Sequence, residues 1–194
     1  MRLSRLIVLG SLTLVTGMAM AQPVLSAAMT CDNVFTAYIS QDPNTQGTAF
    51  LSGANWQATI NGSVNLDAGG GTYYLHIVGV DQGGPRMMIG EFHLSGDATF
   101  ANGTQTLLTN TTDWLSNSAG FGSAMATPID FGNNAGGGAA GWGTRPGISN
   151  DARFIWDASN ASEVYFSAVI NVVPAPGAGL AILGGLAVAA RRRR

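Results

Sequence analysis

From residue 31 onward, apolar and polar positions alternate with a period near two, the spacing of half-buried β-strands. In Val34-Phe35-Thr36-Ala37-Tyr38-Ile39-Ser40, Phe35, Ala37 and Ile39 share one face, so this segment predicts the first strand. Thr72 to Val80 is the clearest such run, ended by Asp81-Gln82-Gly83-Gly84-Pro85. Met87 to Leu94 predicts another, closed by Ser95-Gly96-Asp97. Asn61-Gly62 separates Trp56–Ile60 from Ser63–Leu66. Because Asn-Gly tolerates the positive φ of a type I′ turn, it predicts a tight hairpin. Thr104–Thr109, Arg153–Trp156 and Val164–Val173 complete the predicted strands. Gly120 to Ser149, rich in Gly, Ala and Asn, predicts a long loop crossing one end of the fold. Recurrent turn residues without a sustained 3.6-residue period predict an all-β, jelly-roll-like antiparallel β-sandwich with few helices in its body.

The two ends follow a different pattern. Arg2 and Arg5 precede an apolar run from Leu6 to Met18, and Ala19 and Ala21 place small residues at −3 and −1 of a cleavage site. This is the layout of a secretory signal peptide over residues 1–21, with a second cleavage position near Ala27 or Ala28. Such a leader implies the Sec translocon and signal peptidase as partners. At the other end, Pro174-Ala175-Pro176 leads through Gly177 and an apolar run to Ala190, then Arg191, Arg192, Arg193 and Arg194. As a helix, Gly177 to Ala190 would extend about 21 Å, short of the approximately 30 Å hydrocarbon core. Residues 172–176 and snorkelling arginines close the gap, and the arginines hold the C-terminus on the cytoplasmic side. The expected organisation is signal peptide 1–21, β-sandwich domain 22–173 and sorting tail 174–194, with a hydrophobic helix at each end.

Charge sharpens this picture. Only 10% of the 194 residues are charged, 27 are glycine, and all nine basic residues are arginine. Six arginines lie at the extremities, leaving Arg86, Arg145 and Arg153 against eleven acids, a formal −8 for the body. That balance speaks against nucleic-acid and anionic-membrane binding, which need a basic stripe. Cys31 is the single cysteine, so the chain forms no internal disulfide. A small half-buried residue near the first strand is its expected place.

Candidate chemistry is sparse. Glu91 and His93 lie two residues apart, so their side chains share a strand face; His76 would join them if its strand paired with theirs. That trio would suit a metal or acid–base cluster, and gives the rival reading of a secreted hydrolase acting on polysaccharide or ester substrates. The chain nevertheless lacks a Gly-x-Ser-x-Gly elbow and a phosphate-cradling loop, and a non-enzymatic role is expected, without catalytic or cofactor-binding residues. Asp42, Asp67, Asp81, Asp97 and Asp130 all occupy turns, where a structural calcium could gather carboxylates, although Asp also favours turns for its own sake. Among the aromatics, Trp142 sits between glycines that offer it little cover, and so stands out as a stacking face for a ligand.

Two resemblances follow from these residues. The Pro174-Ala175-Pro176 motif, the apolar segment and Arg191 to Arg194 resemble the PEP-CTERM sorting domain of diderm bacteria, with Ala175 in place of the glutamate. That resemblance implies an exosortase-type membrane protease as partner, a transient inner-membrane intermediate, and delivery to the cell surface or extracellular matrix. Retention of the tail would instead give a single-pass surface protein. The segments Asp32–Ile39, Gly71–Ile77 and Asp81–Pro85, with Trp56, are similar to galactose-binding-like β-sandwich modules. This likeness implies a jelly-roll fold and a structural or carbohydrate-binding role in exopolysaccharide or biofilm.

Overall fold

The computed structural model describes residues 21–174. The leader to residue 20 and the tail from Ala175, including the two expected terminal helices, lie outside the described residues. Twelve strands and no helix make up the described body. In chain order they are β1 Val24–Asp32, β2 Val34–Ser40, β3 Thr48–Gly53, β4 Ile60–Asn65, β5 Gly71–Val80 and β6 Met87–Leu94. They continue as β7 Ala98–Phe100, β8 Thr106–Leu108, β9 Leu115–Asn117, β10 Ile129–Asn133, β11 Arg153–Trp156 and β12 Glu163–Val172.

The strands form two antiparallel sheets. One runs β10-β11-β6-β1-β4 with β8 also on β6; the other runs β3-β2-β5-β12-β7 with β9 also on β12. Alternation explains the layers: Leu25, Ala27, Met29 and Cys31 of β1 point inward with Met88, Phe92 and Leu94 of β6. From the other sheet, Phe35, Ala37, Leu75, Ile77, Phe166 and Ile170 complete the same core. Burial of the Leu, Ile, Met and Phe side chains among these stabilises the pair of sheets by roughly 1.5–3 kcal/mol each.

The structure corrects the sequence expectation at three places. Chain pairing begins earlier than Val34, because β1 occupies a central position between β4 and β6. Asn61-Gly62 is not a hairpin turn: both residues lie inside β4, opposite Ala28 and Ala27. The strands pack closely there: a Cβ on Gly62 would come within 2.7 Å of Leu51 Cδ1 in the facing sheet, the flexible end of a half-buried side chain. The Gly-rich segment 120–149 is also not an unstructured loop. It supplies β10 and folds over the outer face of the first sheet, where Trp142 and Ile148 join Met87, Ile89, Ala152 and Phe154 in a second core.

Both ends of the body leave the sandwich together. Ser95 N donates to Val24 O at 3.0 Å and Val173 N donates to Asp97 O at 2.8 Å. The first and last strands therefore flank one turn, Ser95-Gly96-Asp97.

Candidate functional site

The outer face of the second sheet carries a cleft of about 510 Å³. Alternation on β5 and β12 builds its floor: as Leu75 and Ala168 turn inward, Tyr74, Ser167 and Val169 turn outward. Its walls include Pro43, Met125 and Leu115, the last 45% exposed. Asn102, Thr112 and Asp113 line one part of it. Their geometry is held locally: Asp113 Oδ2 accepts Asn102 Nδ2 at 3.2 Å and Asn110 Nδ2 at 2.9 Å, while Asn110 Oδ1 accepts the Thr112 and Asp113 amides.

The segment beside this cleft is shaped by Asn117. Its Oδ1 accepts the amides of Ala119 and Gly120 at 2.9 and 3.1 Å, and its Nδ2 donates to Gly120 O at 3.2 Å. The resulting turn lays Phe121 over His76, with ring centres 4.1 Å apart, and sets the Phe121 edge against Tyr165. His76 is fully buried, and neither ring nitrogen has a hydrogen-bond partner among the described residues. Burial pushes its pKa down, opposed by the nearby Asp42. The imidazole is thus held neutral behind an aromatic cover.

His76 does not join Glu91 and His93. β5 and β6 belong to different sheets, and both histidines occupy outward positions, so they lie on opposite outer faces of the sandwich. The expected Glu91–His93 neighbourhood does form: His93 Nε2 lies 2.8 Å from Glu91 Oε1, and His93 Nδ1 lies 3.1 Å from Thr106 Oγ1. Glu91 Oε2 meanwhile accepts Ser149 N at 2.6 Å, tying the Gly-rich segment to β6. The pair therefore has a structural task, and the three-residue cluster of the hydrolase reading is not assembled.

Trp142 is likewise not the uncovered ring suggested by its glycine neighbours. It is 6% exposed, stacks on Phe154 at 5.3 Å, meets Phe131 edge-on and donates its indole N–H to Asp32 Oδ2 at 3.3 Å. What remains accessible contributes to a second depression, about 460 Å³, with Phe131, Pro85, Arg86 and Asn160 at the end of the sandwich away from the two chain ends. The remaining tryptophans are also committed: Trp114 and Trp156 are fully buried, and Trp56 lies under the Arg145 guanidinium at 5.2 Å.

The five turn aspartates do not converge. Asp42 and Asp67 cap the amides of Asn44 and Gly69, Asp81 pairs with Arg86 at 2.7 Å, and Asp130 pairs with Arg153 at 2.6 Å. Asp97 instead lends its main-chain carbonyl to Val173. Among the described residues no group of three or more His, Cys, Asp or Glu side chains is placed to hold a metal ion. Cys31, on β1, is more deeply placed than expected, at 1% exposure, with its thiol pKa raised by burial.

Fold and cleft together define an all-β protein of two antiparallel sheets with a side-facing cleft. Comparison with protein-family models, curated proteins and solved structures finds no match. The sequence pattern did not single out Leu115, Met125 or the Asn102–Asp113 pair. An apolar Leu115 directly after a buried Trp114, where alternation turns it outward, was the available signal.

Proposed function

We propose that this chain is an exported protein of the cell surface or extracellular matrix, sorted by an exosortase-type system, whose jelly-roll-like domain binds exopolysaccharide through the second-sheet cleft. The repeated passage of the chain between sheets, at β1–β2, β3–β4, β4–β5 and β5–β6, supports the jelly-roll-like part of this reading. The observation that carries the proposal is the common exit of both chain ends beside Ser95-Gly96-Asp97. A leader and a tail that start side by side can occupy the same membrane. Cleavage after Ala21 leaves β1 whole, whereas cleavage near Ala27 would divide a central strand.

The cleft suits a sugar chain. Tyr74, Leu115 and Val169 offer surface to the C–H face of a pyranose, while Asn102, Asp113 and Ser167 offer hydrogen bonds to hydroxyls. A neutral glycan fits best, because all three arginines of the body are engaged: Arg86 and Arg153 with aspartates, and Arg145 with the carbonyls of Trp56, Trp142 and Gly143.

Two measurements test the reading. Mass spectrometry of the mature protein is expected to find a C-terminus near Pro174–Gly177; an intact Arg191 to Arg194 would instead indicate a permanently anchored protein. On an array of neutral glucan and galactan oligosaccharides beside alginate oligomers, the mature protein is expected to retain neutral chains. Tyr74→Ala should weaken that binding about ten-fold, the size of one lost aromatic contact of about 1.5 kcal/mol. Absence of binding to every glycan would remove the carbohydrate role.

A further inference from the structure

We propose that the β4 edge is a homotypic assembly surface, on which a second copy of this chain pairs its own β4 antiparallel to form one continuous sheet. Among the described residues β4 pairs only with β1, in unbroken register from Ile60 opposite Met29 to Asn65 opposite Val24. Its other edge therefore presents a row of main-chain donors and acceptors, a template for a further strand. The other outer strands are defended. β3 is bulged, with Leu51 opposite Ala37 and Ala49 opposite Tyr38, so that Phe50 is left over. β10 is irregular between Asp130 and Asn133, and β7 has only three residues. Bulges and short strands discourage pairing; β4 has neither, and it contains no proline or charged residue.

Charge identifies the occupant. From Pro43 to Leu66 the chain carries no charged residue at all, although the body has a formal −8. This neutral strip contains both β3 and β4, so two copies can approach here without the like-charge repulsion that the rest of the acidic surface imposes. An antiparallel strand is also complementary to itself about a twofold axis. Opposed residues share a face, so the composite sheet remains continuous when paired positions keep their inward or outward sense. A register centred on Ser63 does this: Ser63 faces Ser63 of the second copy, Asn61 faces Asn65 and Gly62 faces Val64. Asn61, Ser63 and Asn65 are all exposed. One strand pair buries less than a standard interface of about 1,600 Å², so the association is concentration-dependent and suited to reversible assembly.

Disulfide trapping in the full-length chain tests the register. Ser63→Cys is expected to give a covalent dimer on mild oxidation, since directly opposed strand residues meet the Cα separation a disulfide needs. Ser52→Cys, exposed on bulged β3, serves as control, and the native Cys31 is buried. Equal cross-linking at both positions would overturn the proposal. In sedimentation velocity, Ser63→Lys should weaken self-association about ten-fold by placing like charges directly opposite one another. An unchanged concentration dependence in this variant, with the wild-type melting curve retained, would also overturn it. Neither result depends on glycan binding.

Discussion

Asn134 and Arg145, eleven residues apart in the Gly-rich segment, are locked together by two reciprocal hydrogen bonds. Asn134 Oδ1 accepts the Arg145 amide at 2.6 Å, and Asn134 Nδ2 donates to the Arg145 carbonyl at 3.0 Å. The same Nδ2 donates to Ile148 O at 2.8 Å. Arg145 then reaches back to Gly143, Trp142 and Trp56 carbonyls. Two buried polar side chains thus organise a segment whose own side chains offer little to pack.

The first prediction concerns that lock. Asn134→Ala leaves the buried Arg145 amide and Ile148 carbonyl without the partner Asn134 supplies, and should cost about 2–4 kcal/mol in chemical denaturation. Hydrogen exchange should rise selectively across residues 134–149, while β5 and β12 remain protected. Uniform loss of protection would show that the segment is not held as an independent unit.

The second concerns His76. Its folded-state pKa lies below the unfolded value of about 6.5 because burial opposes the charged ring. The unfolded chain therefore takes up the proton first. The stability contributed by neutral His76 is complete above the unfolded pKa and is lost as pH falls from there toward the folded value. Asp42 faces the ring from the β2–β3 turn and limits the shift; Tyr74 and Phe121 cover it without charge. Replacing His76 with Phe should flatten the pH dependence of stability between pH 7 and 5. An unchanged slope would place the acid sensitivity elsewhere.

Asp157 should act in a more acidic window. Burial raises its pKa, but hydrogen bonds from Ser116 and Ser159 outweigh that and hold the carboxyl below its usual value. Ser116 Oγ lies 2.6 Å from Asp157 Oδ2 in a buried setting. A depressed carboxylate stabilises the fold above its unfolded pKa, and that contribution disappears as pH falls through the folded value. Ser116→Ala should move the acid-unfolding midpoint upward and cost about 1–3 kcal/mol at neutral pH. Titration of unfolding by circular dichroism checks both.

Much of the fold was legible because one face of most long strands is buried. Met87–Leu94 and Arg153–Trp156 were readable to the residue, since dense apolar runs fill them and turn residues bound them. β1 was not, although Leu25, Ala27, Met29 and Cys31 alternate along it. Its small residues also satisfy a signal-cleavage pattern, and only pairing with β4 and β6 separates the two readings. The candidate site was harder. Strand parity places Glu91 with His93, but nothing local says that the chain changes sheet between Val80 and Met87 and so puts His76 on the far face. Trp142 looked uncovered because one aromatic that covers it, Phe154, lies beyond the Gly-rich segment, and the other, Phe131, belongs to a strand hidden within it.

The glycines provide the last prediction, because identical residues here answer different requirements. Gly62 has no positive φ, and its added Cβ would meet the flexible end of Leu51 at 2.7 Å. Leu51 is half-buried on β3 and can yield, so Gly62→Ala should cost no more than about 1 kcal/mol. Gly138 has φ +72°, and its Cβ would meet the Trp142 ring at 2.6 Å and Phe154 at 2.9 Å. Those rings are stacked and buried, so Gly138→Ala combines left-handed backbone strain of about 1–2 kcal/mol with overpacking of about 1–3 kcal/mol. The melting temperature should fall far more for Gly138→Ala than for Gly62→Ala, with altered near-ultraviolet circular dichroism from Trp142 in the former only. Equal losses would mean that the second core relaxes as easily as the β3–β4 margin, contrary to its packing.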